Sequence, residues 1–219
     1  MSHLQSLITK HCPEGVPTLE LGEIGEFTRG RRFTKKDVVA QGEGVPSIHY
    51  GEIYTSYGTW AEAAVSHVRA DMRDQLRFAR HGDVVIAGVG ETVEDVAKAV
   101  AWLGAEEVAY HDDCYAFRHA QDAKYIAYVM QTADFHAQKN KHVARAKVKR
   151  LSSSGLAKIK VPVPPLAVQK EIVRILDRLV ELKEELEIEL RAEIQARRVQ
   201  YEYHRDELLS FGEASDEGR

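Results

Sequence analysis

Apolar residues in the C-terminal third of the chain follow a helical pattern from Leu166 to Leu209. Most recur three or four residues apart, which is typical of the seam of a coiled coil. Neither Gly nor Pro interrupts the pattern after Pro165, so it predicts one helix roughly 65 Å long. The predicted seam, which would serve dimerisation, consists of Ile172, Ile175, Leu179, Leu182, Leu186, Leu190, Ile194, Tyr201 and Leu208.

A helix of this length has to bury its apolar stripe against a partner. The alternative is a helix that folds back on its own domain, but globular helices rarely exceed about 25 residues without caps. The segment from Leu166 to Arg219 holds nine Lys and Arg against fourteen Asp and Glu. Because an acidic helix is a poor ligand for phosphate, its partner is predicted to be protein.

The rest of the chain mixes short strand and helix patterns, which predicts an α+β fold. We expect one mixed α/β domain over residues 1–164, a coiled-coil helix over residues 165–211 and a disordered tail over residues 212–219. Helices are predicted at Met1–Glu14 and Tyr125–Gln138, with a helical turn from the caps Ser152–Ser154 to Ala157. Strands are predicted at Leu19–Phe27 (with a bulge at Gly22 or Gly25), Ser47–Tyr54, Gly82–Ala87, Val96–Leu103, Val108–Arg118 and Lys158–Val163.

The composition predicts a cytoplasmic protein. No apolar run approaches the length of a membrane span, and residues 1–13 lack the pattern of a signal peptide. The two cysteines, Cys12 and Cys114, have no metal or redox spacing and are expected to be free thiols in a reducing compartment. The net charge of −4 conceals local clustering of the basic residues.

Two basic tracts stand out as a predicted DNA-binding surface. The tract at residues 28–36 and the tract at residues 139–150 lie among aromatic and amide groups, including Phe33 and Trp60, a mixture that suits phosphate anchoring with contacts to base edges. Two unrelated solvated loops are the alternative, and burial in the core is the commoner fate of aromatic residues. Arg31, Arg32 and Tyr57 are the predicted base-reading residues. The complete predicted set is Arg29, Arg31, Arg32, Lys35, Lys36, Tyr50, Tyr54, Tyr57, Lys139, Asn140, Lys141, His142, Arg145, Lys147, Lys149 and Arg150.

The chain shows no convergent catalytic set. It has no Gly-x-Ser-x-Gly elbow, no Walker-type loop and no adenine-methyltransferase motif. Gly88-Val-Gly90 lacks the third glycine of a dinucleotide loop. His111-Asp-Asp-Cys114 contains metal-ligand residue types, but on the predicted strand they would alternate between faces. We therefore predict no catalytic residue and no metal.

Several stretches resemble the DNA specificity subunit of type I restriction–modification systems. The resemblance covers nearly the whole chain, and its most specific part leads from a proline-rich hinge into the long helix. It rests on Leu21-Gly-Glu-Ile24, Arg29-Gly30, Ile48-His-Tyr-Gly-Glu-Ile-Tyr54, Gly82-Asp-Val-Val-Ile-Ala87, Lys98-Ala-Val-Ala-Trp-Leu103, Val148-Lys-Arg-Leu-Ser152 and Ile159-Lys-Val-Pro-Val-Pro-Pro-Leu166 with Gln169 and Ile172-Val-Arg-Ile-Leu-Asp177.

The resemblance implies a target recognition domain followed by a conserved coiled-coil helix. The usual subunit carries two such pairs in tandem, with the helices antiparallel, whereas this chain looks like half a subunit. We therefore expect a homodimer that reads double-stranded DNA as a split palindrome, with half-sites about 34 Å apart. The family further implies modification subunits that bind S-adenosylmethionine and methylate adenine at N6, and a restriction motor-nuclease subunit. No cofactor is expected in this chain.

Two other functions remain open at this point. One is a dimerising regulator or decoy that replaces a full-length specificity subunit and blocks methylation. The other is a free-standing enzyme that uses the cluster at residues 111–114.

Overall fold

The computed structural model describes residues 3–144 and 148–211. The predicted tail at residues 212–219 lies outside these ranges. The chain forms two compact units, Met1–Val173 and Arg174–Arg219, which are described separately.

Two five-stranded sheets form the frame of the first unit. In spatial order, the first consists of β2 (Gly25–Arg29), β12 (Cys114–His119), β8 (Val84–Ala87), β10 (Ala99–Trp102) and β5 (Trp60–Ala61). The second consists of β3 (Val38–Val39), β6 (Ser66–Val68), β4 (Val45–Ile48), β11 (Val108–Tyr110) and β7 (Phe78–Ala79). Two strand pairs complete the set, β1 (Thr18–Glu20) with β14 (Lys160–Pro162) and β9 (Val89–Gly90) with β13 (Lys149–Arg150).

Short helices connect and cover these sheets. They are α1 (His3–His11), α2 (Leu21–Ile24), α3 (Tyr50–Thr55), α4 (Ala123–Val129), α5 (Ala133–Lys139) and α6 (Ser153–Ala157), with a 3₁₀ helix at Ala70–Gln75. The long helix α7 (Leu166–Leu209) ends the described chain. Mixed sheets followed by one long helix confirm the predicted α+β class.

The strand β8 lies between two hydrophobic clusters. It pairs antiparallel with β10 and β12, and its four residues are all buried. Val84 and Ile86 belong to one cluster, while Val85 and Ala87 belong to another, because successive side chains of a strand point to opposite faces. The continuous apolar run was therefore a reliable signal for this strand.

The predicted strand at Val108–Arg118 is wrong, because the segment forms two strands. β11 belongs to the second sheet and β12 to the first, and residues 111–113 turn between them. The predicted strand at Ser47–Tyr54 also ends early, because α3 begins at Tyr50. The His49 ring caps α3 by accepting a hydrogen bond from Gly51 N, and the Glu52 carboxylate accepts one from His49 N.

Two further boundaries differ from the prediction. The strand expected at Leu19–Phe27 is interrupted by α2, which a capping box between Glu20 and Glu23 supports. The helix expected at Tyr125–Gln138 is two helices, since Thr132 starts α5 by accepting a hydrogen bond from Phe135 N at 3.3 Å. Both breaks arise from caps within an apolar pattern that otherwise continues.

The predictions at the C-terminal side agree with the structure. Ser152 caps α6, β14 lies inside the predicted last strand, and α7 has the predicted bounds. The fully buried Gln169 fixes the first turns of α7, because its amide accepts from Asp122 N at 2.9 Å and donates to Pro164 O at 2.7 Å. The first unit thus extends eight residues into the helix, from Leu166 to Val173.

The second unit consists of the remainder of α7. From Arg178 to Phe211 every described side chain is exposed, including the seam residues from Leu179 onward. Ile172 differs from them, because it is half-buried against the core of the first unit. Pairs such as Lys183–Glu187 and Glu193–Arg197 support the helix along its surface.

Candidate nucleic-acid interface

The turn at residues 111–113 connects the two sheets and carries a buried histidine. His111 Nε2 lies 3.0 Å from Phe33 O, and Asp113 N donates to His111 Nδ1 at 3.2 Å. Both ring nitrogens of His111 therefore have a backbone partner. The imidazole therefore ties the turn to the first basic tract, since Phe33 lies in the middle of that tract.

An arginine from each basic tract meets this turn. Arg29 Nε donates to Asp112 O at 2.6 Å, and its guanidinium lies 3.6 Å from the Asp112 carboxylate. Arg150 Nη1 lies 3.1 Å from Asp113 Oδ1. Both arginine side chains are more than half exposed, so each can still contact an anion from solvent. A cavity of about 190 Å³ lies between them, and its wall includes Tyr115. The structure thus brings two tracts that are more than a hundred residues apart in the chain to one turn.

The same turn corrects the prediction about metal-ligand residues. His111, Asp112 and Asp113 do not alternate on a strand, and one ligand atom from each lies within 4.8 Å of the others. Their polar atoms already bond Phe33, Arg29 and Arg150. Because two guanidinium groups offset the two carboxylates, the cluster holds arginine side chains in place.

The neighbouring Cys114 is fully buried, and burial raises the pKa of its thiol well above the ordinary value. A buried thiol with a raised pKa is a poor nucleophile, which does not favour a free-standing enzyme at residues 111–114.

The loop at residues 30–37 is anchored at both ends. Gly30 N donates to Cys114 O at 3.0 Å, and a Cβ at Gly30 would lie only 2.1 Å from His111 O, so the close approach requires glycine. At the other end, Thr34 donates two hydrogen bonds to the Asp37 carboxylate, which hold the pKa of Asp37 below its ordinary value. Phe33 is buried between these anchors. The exposed side chains of this loop are those of Arg31, Arg32, Thr34, Lys35 and Lys36.

The second tract divides into a buried and an exposed part. Lys139 is only 1% exposed and donates hydrogen bonds to Glu94 O and Val96 O, so the prediction that it contacts phosphate at the surface is wrong. Burial lowers the pKa of Lys139 to about 8, although nearby Glu94 opposes this. The side chains of Asn140, Lys141 and His142 are exposed.

The end of this tract forms the strand β13. Lys149 is half-buried and lies opposite Gly90 of β9, and the exposed Arg150 lies opposite Val89. The predicted DNA contacts Arg145 and Lys147 lie outside the described residues.

The predicted tyrosines are half-buried rather than free at the surface. The Tyr54 hydroxyl donates to Val89 O, and Tyr57 Oη accepts from Val65 N at 2.9 Å. Burial raises the pKa of Tyr57 to about 12 and that of Tyr54 further. The Tyr50 ring packs against the His49 ring at an angle of 38°, with ring centroids 4.4 Å apart. The hydroxyls of Tyr54 and Tyr57 and the ring of Tyr50 thus contact other parts of the protein. Each of the three side chains is only partly exposed to solvent.

Tyr54 and Tyr57 nevertheless share a cavity with Asn140. The cavity measures about 550 Å³, and Lys98, Gln131 and His136 also line it. Lys98 Nζ lies 5.5 Å from the centre of the Tyr54 ring. An aromatic wall with an amide and a cation offers stacking, hydrogen bonding and charge to a ligand group.

A sequence model described as the type I restriction modification DNA specificity domain matches residues 13–196. This match covers most of the chain. The chain belongs to this type I restriction DNA specificity family.

Two curated relatives are named as specificity subunits of type I restriction enzymes. The chain is 47% identical over 199 residues to a protein of Haemophilus influenzae named as a type I restriction enzyme specificity subunit. This match covers 88% of the chain and 48% of that protein. It is 38% identical over 101 residues to a type I restriction enzyme specificity subunit of Escherichia coli, covering 43% of the chain and 22% of the relative. The chain therefore spans about half or less of the relatives that it matches.

Solved structures of the type I restriction family share the fold. A chain from a type I restriction–modification assembly superposes with a TM-score of 0.61 at 17% identity, covering 90% of this chain and 49% of the other. The HsdS subunit from Thermoanaerobacter tengcongensis gives a TM-score of 0.55 at 17% identity, covering 84% of this chain and 44% of the other. Among the described residues, no helix has both the length and the apolar content that crossing a bilayer requires.

The sequence pattern does not indicate several residues of this site. The apolar pattern places Asp112 and Asp113 on a strand, and it does not indicate Lys98, Gln131 or His136 as site residues. The sequence held one usable signal, since two adjacent acids between apolar runs are typical of a turn. The residues that line the 550 Å³ cavity come from separate helices, strands and loops. Their spacing in the sequence therefore does not show that they lie together.

Proposed function

We propose that this chain is the DNA-reading subunit of a type I restriction–modification complex. It binds double-stranded DNA through the basic surface, defined here as the loop at residues 30–37 together with Arg29, Asn140, Lys141, His142 and Arg150. It works as a homodimer through α7 and reads a split palindromic target. Its methyltransferase partners bind S-adenosylmethionine and methylate adenine at N6, and a restriction motor-nuclease subunit joins them.

The proposal rests mainly on one observation, which is that Arg29 and Arg150 both contact the turn between β11 and β12. Ion pairs hold both guanidinium groups in place while leaving them more than half exposed. Preorganised arginines are suited to bind phosphate or a guanine edge, because the planar guanidinium offers paired donors. Their placement brings one residue of each basic tract to the same turn.

The basic surface suggests a division between phosphate contacts and base contacts. Lys35, Lys36 and Lys141 are exposed cations on flexible side chains, which suits sequence-independent binding of phosphates. Arg31, Arg32 and Asn140 are exposed groups with a planar array of donors or acceptors, which suits contacts to base edges. We therefore assign binding strength mainly to the lysines and sequence preference mainly to the other three residues.

The exposed seam of α7 supports the homodimer. Leu179, Leu186 and Leu190 are each more than half exposed, and such a stripe is stable in water when another helix covers it. A second copy would supply both a second reading domain and a second helix.

A fluorescence titration with labelled duplex DNA tests the proposal. The protein is purified with its modification subunits and titrated against duplexes carrying the target that they methylate, and against scrambled duplexes. We expect tighter binding to the target and a linear loss of affinity with the logarithm of salt concentration. Equal affinity for all duplexes would contradict the proposal. Assembly with modification subunits but no methylation would favour the decoy alternative.

A further inference from the structure

The cavity of about 550 Å³ in the first unit has an aromatic wall that is held in place. Tyr54 belongs to α3 and Tyr57 follows it, and both residues line the cavity. The Tyr54 hydroxyl donates to Val89 O, and Tyr57 Oη accepts from Val65 N at 2.9 Å. The cavity volume falls within the range of roughly 300–1,000 Å³ that is typical of small-molecule sites. Fixed aromatic rings in a cavity of this size suit a planar ligand.

The polar side chains around the cavity keep unused hydrogen-bonding groups. Gln131 Nε2 donates to Thr59 Oγ1 at 3.2 Å and to Ala127 O at 3.3 Å, whereas no described residue donates to Gln131 Oε1. The side chains of His136 and Asn140 also form no hydrogen bond within the described part of the chain. Burial lowers the pKa of His136, so its neutral ring offers one donor and one acceptor at pH 7. Together these groups match the donors and acceptors on the edge of a nucleobase.

The charges of the cavity wall favour an uncharged ligand over an anion. Lys98 Nζ lies 3.2 Å from the Asp95 carboxylate, which offsets the charge of the lysine. The Lys139 ammonium donates to the backbone carbonyls of Glu94 and Val96, so its hydrogen bonds are used within the protein. Glu94 also lines the cavity and adds a carboxylate. Because a free nucleotide would bring a phosphate with a charge of about −2 to this wall, a neutral base ring is the better fit.

We infer that this cavity binds one base that has left the stack of the bound DNA duplex. Asn140 lines the cavity and belongs to the basic surface, beside Lys141 and His142. A DNA strand on that surface would therefore keep its phosphates outside the cavity while one base enters. The base stacks on the tyrosine rings and presents its polar edge to Gln131, His136 and Asn140. The inference rests on the proposed DNA binding and adds a site for an unstacked base to it.

Duplexes with one bulged base test this inference, because an unpaired base leaves the stack at a lower cost than a paired base. The protein is purified with its modification subunits and titrated against labelled duplexes of the target sequence, either fully paired or with one bulged A, C, G or T. The bulge is placed at successive positions in otherwise identical duplexes. For at least one position we expect binding about tenfold tighter than to the paired duplex, since stacking on an aromatic ring stabilises the unpaired base.

Two variants of the cavity separate this effect from a general preference for flexible DNA. A Cβ at Gly58 meets nothing within 4 Å, so Gly58→Phe can place a ring in the cavity, and we expect it to abolish the preference for the bulged duplex. Gln131→Ala removes one acceptor and should reduce the preference about threefold. Lys141→Ala is the matched control, because Lys141 lies on the basic surface and does not line the cavity. It should weaken binding to the paired and bulged duplexes equally.

The outcomes separate failure of the inference from failure of the proposed function. Circular dichroism measures the folding of each variant, and Gln131→Ala decides the test if Gly58→Phe does not fold. An unchanged bulge preference in the folded cavity variants would overturn the inference alone, as would equal affinity of the unsubstituted protein for the paired and bulged duplexes. Absence of binding to any duplex would overturn the proposed function and the inference with it.

Discussion

The guanidinium of Arg150 lies 3.1 Å from the carboxylate of Asp113, on the turn whose other acid, Asp112, holds Arg29. If Arg150 contacts DNA as proposed, Asp113 both orients Arg150 and competes with DNA for it. This dual role leads to opposite expectations for the two partners of one ion pair. Arg150 is more than half exposed in this pair, whereas Asp113 is only 20% exposed. Solvent still screens the arginine, so we expect the pair to make a modest contribution to folding.

Replacing either partner of this pair should change DNA affinity in opposite directions. Arg150→Ala is expected to weaken binding about tenfold and to reduce the salt slope by about 1, because one phosphate contact is lost. Asp113→Ala is expected to tighten binding to all sequences, because an anion is removed from the surface. Titrations at several salt concentrations measure both effects. Arg150→Lys is the matched control, because it retains the positive charge. If Arg150→Lys loses as much DNA affinity as Arg150→Ala, the charge alone does not account for the effect.

Lys139 and Lys141 should behave as a structural lysine and a DNA-binding lysine. Lys139→Met leaves the buried carbonyls of Glu94 and Val96 without their donor, which is expected to cost about 1–3 kcal/mol of unfolding free energy. DNA affinity of the folded variant should be unchanged. Lys141→Ala should have the reverse effect, with normal stability and weaker, less salt-sensitive binding. Denaturant unfolding and DNA titration of the same preparations separate the two roles. Loss of DNA affinity in folded Lys139→Met would contradict this assignment.

The pKa of Lys139 gives a further expectation about pH. Its pKa is lowered to about 8 in the folded protein, so between pH 8 and roughly 10.4 the unfolded chain binds the proton more often than the folded chain. Stability of the unsubstituted protein should therefore rise with pH relative to Lys139→Met over this interval. Unfolding free energies at pH 7.5 and pH 9.5 measure this difference. A difference that stays constant would mean that Lys139 titrates normally when folded.

Gly30 should tolerate no side chain. Gly30→Ala would place a Cβ 2.1 Å from His111 O and 2.3 Å from Tyr110 O, so the backbone of the basic loop has to move. We expect a loss of about 1–3 kcal/mol in unfolding free energy, together with weaker DNA binding. Gly58→Ala is the control, because a Cβ there meets nothing within 4 Å. Thermal unfolding of both variants checks this, and equal stability would show that the contact relaxes freely.

The helix seam predicts which apolar residue of α7 is needed for assembly. Leu186→Asp places a charge on the predicted seam and should convert the proposed dimer to a monomer without unfolding the first unit. Ile188 is 69% exposed and lies on the opposite side of α7, so Ile188→Asp should stay dimeric. Light scattering of both variants tests the expectation. A dimeric Leu186→Asp variant would mean that another face of the helix is used.

Elements whose signals are local could be predicted well from the sequence. The helix α7 spans 44 residues and carries apolar seam residues from Ile172 to Leu208, and the four residues of β8 form an uninterrupted apolar run. Ser152 supplies a cap that depends only on the residues beside it. The two basic tracts were found for the same reason, because their charge density is visible without knowledge of the fold.

Features that depend on tertiary placement could not be predicted in this way. The apolar residues before and after the turn at His111–Asp113 resemble one strand, and only their assignment to different sheets separates them. Lys139 is the last residue of α5 and precedes further cations, so its sequence context indicates a surface residue. Its burial depends on carbonyls about forty residues away, next to Ala97, whose backbone has a positive φ of 65°.

Mapping methylated adenines in DNA tests the central claim most directly. The chain is expressed with its modification subunits in a host that lacks adenine methylation, and modified positions are read by sequencing. We expect N6-methyladenine in one split palindrome, with identical inverted half-sites, and loss of that pattern in Leu186→Asp. Methylation at a target with two different half-sites, or the same target in a monomeric variant, would contradict a symmetric pair of reading domains.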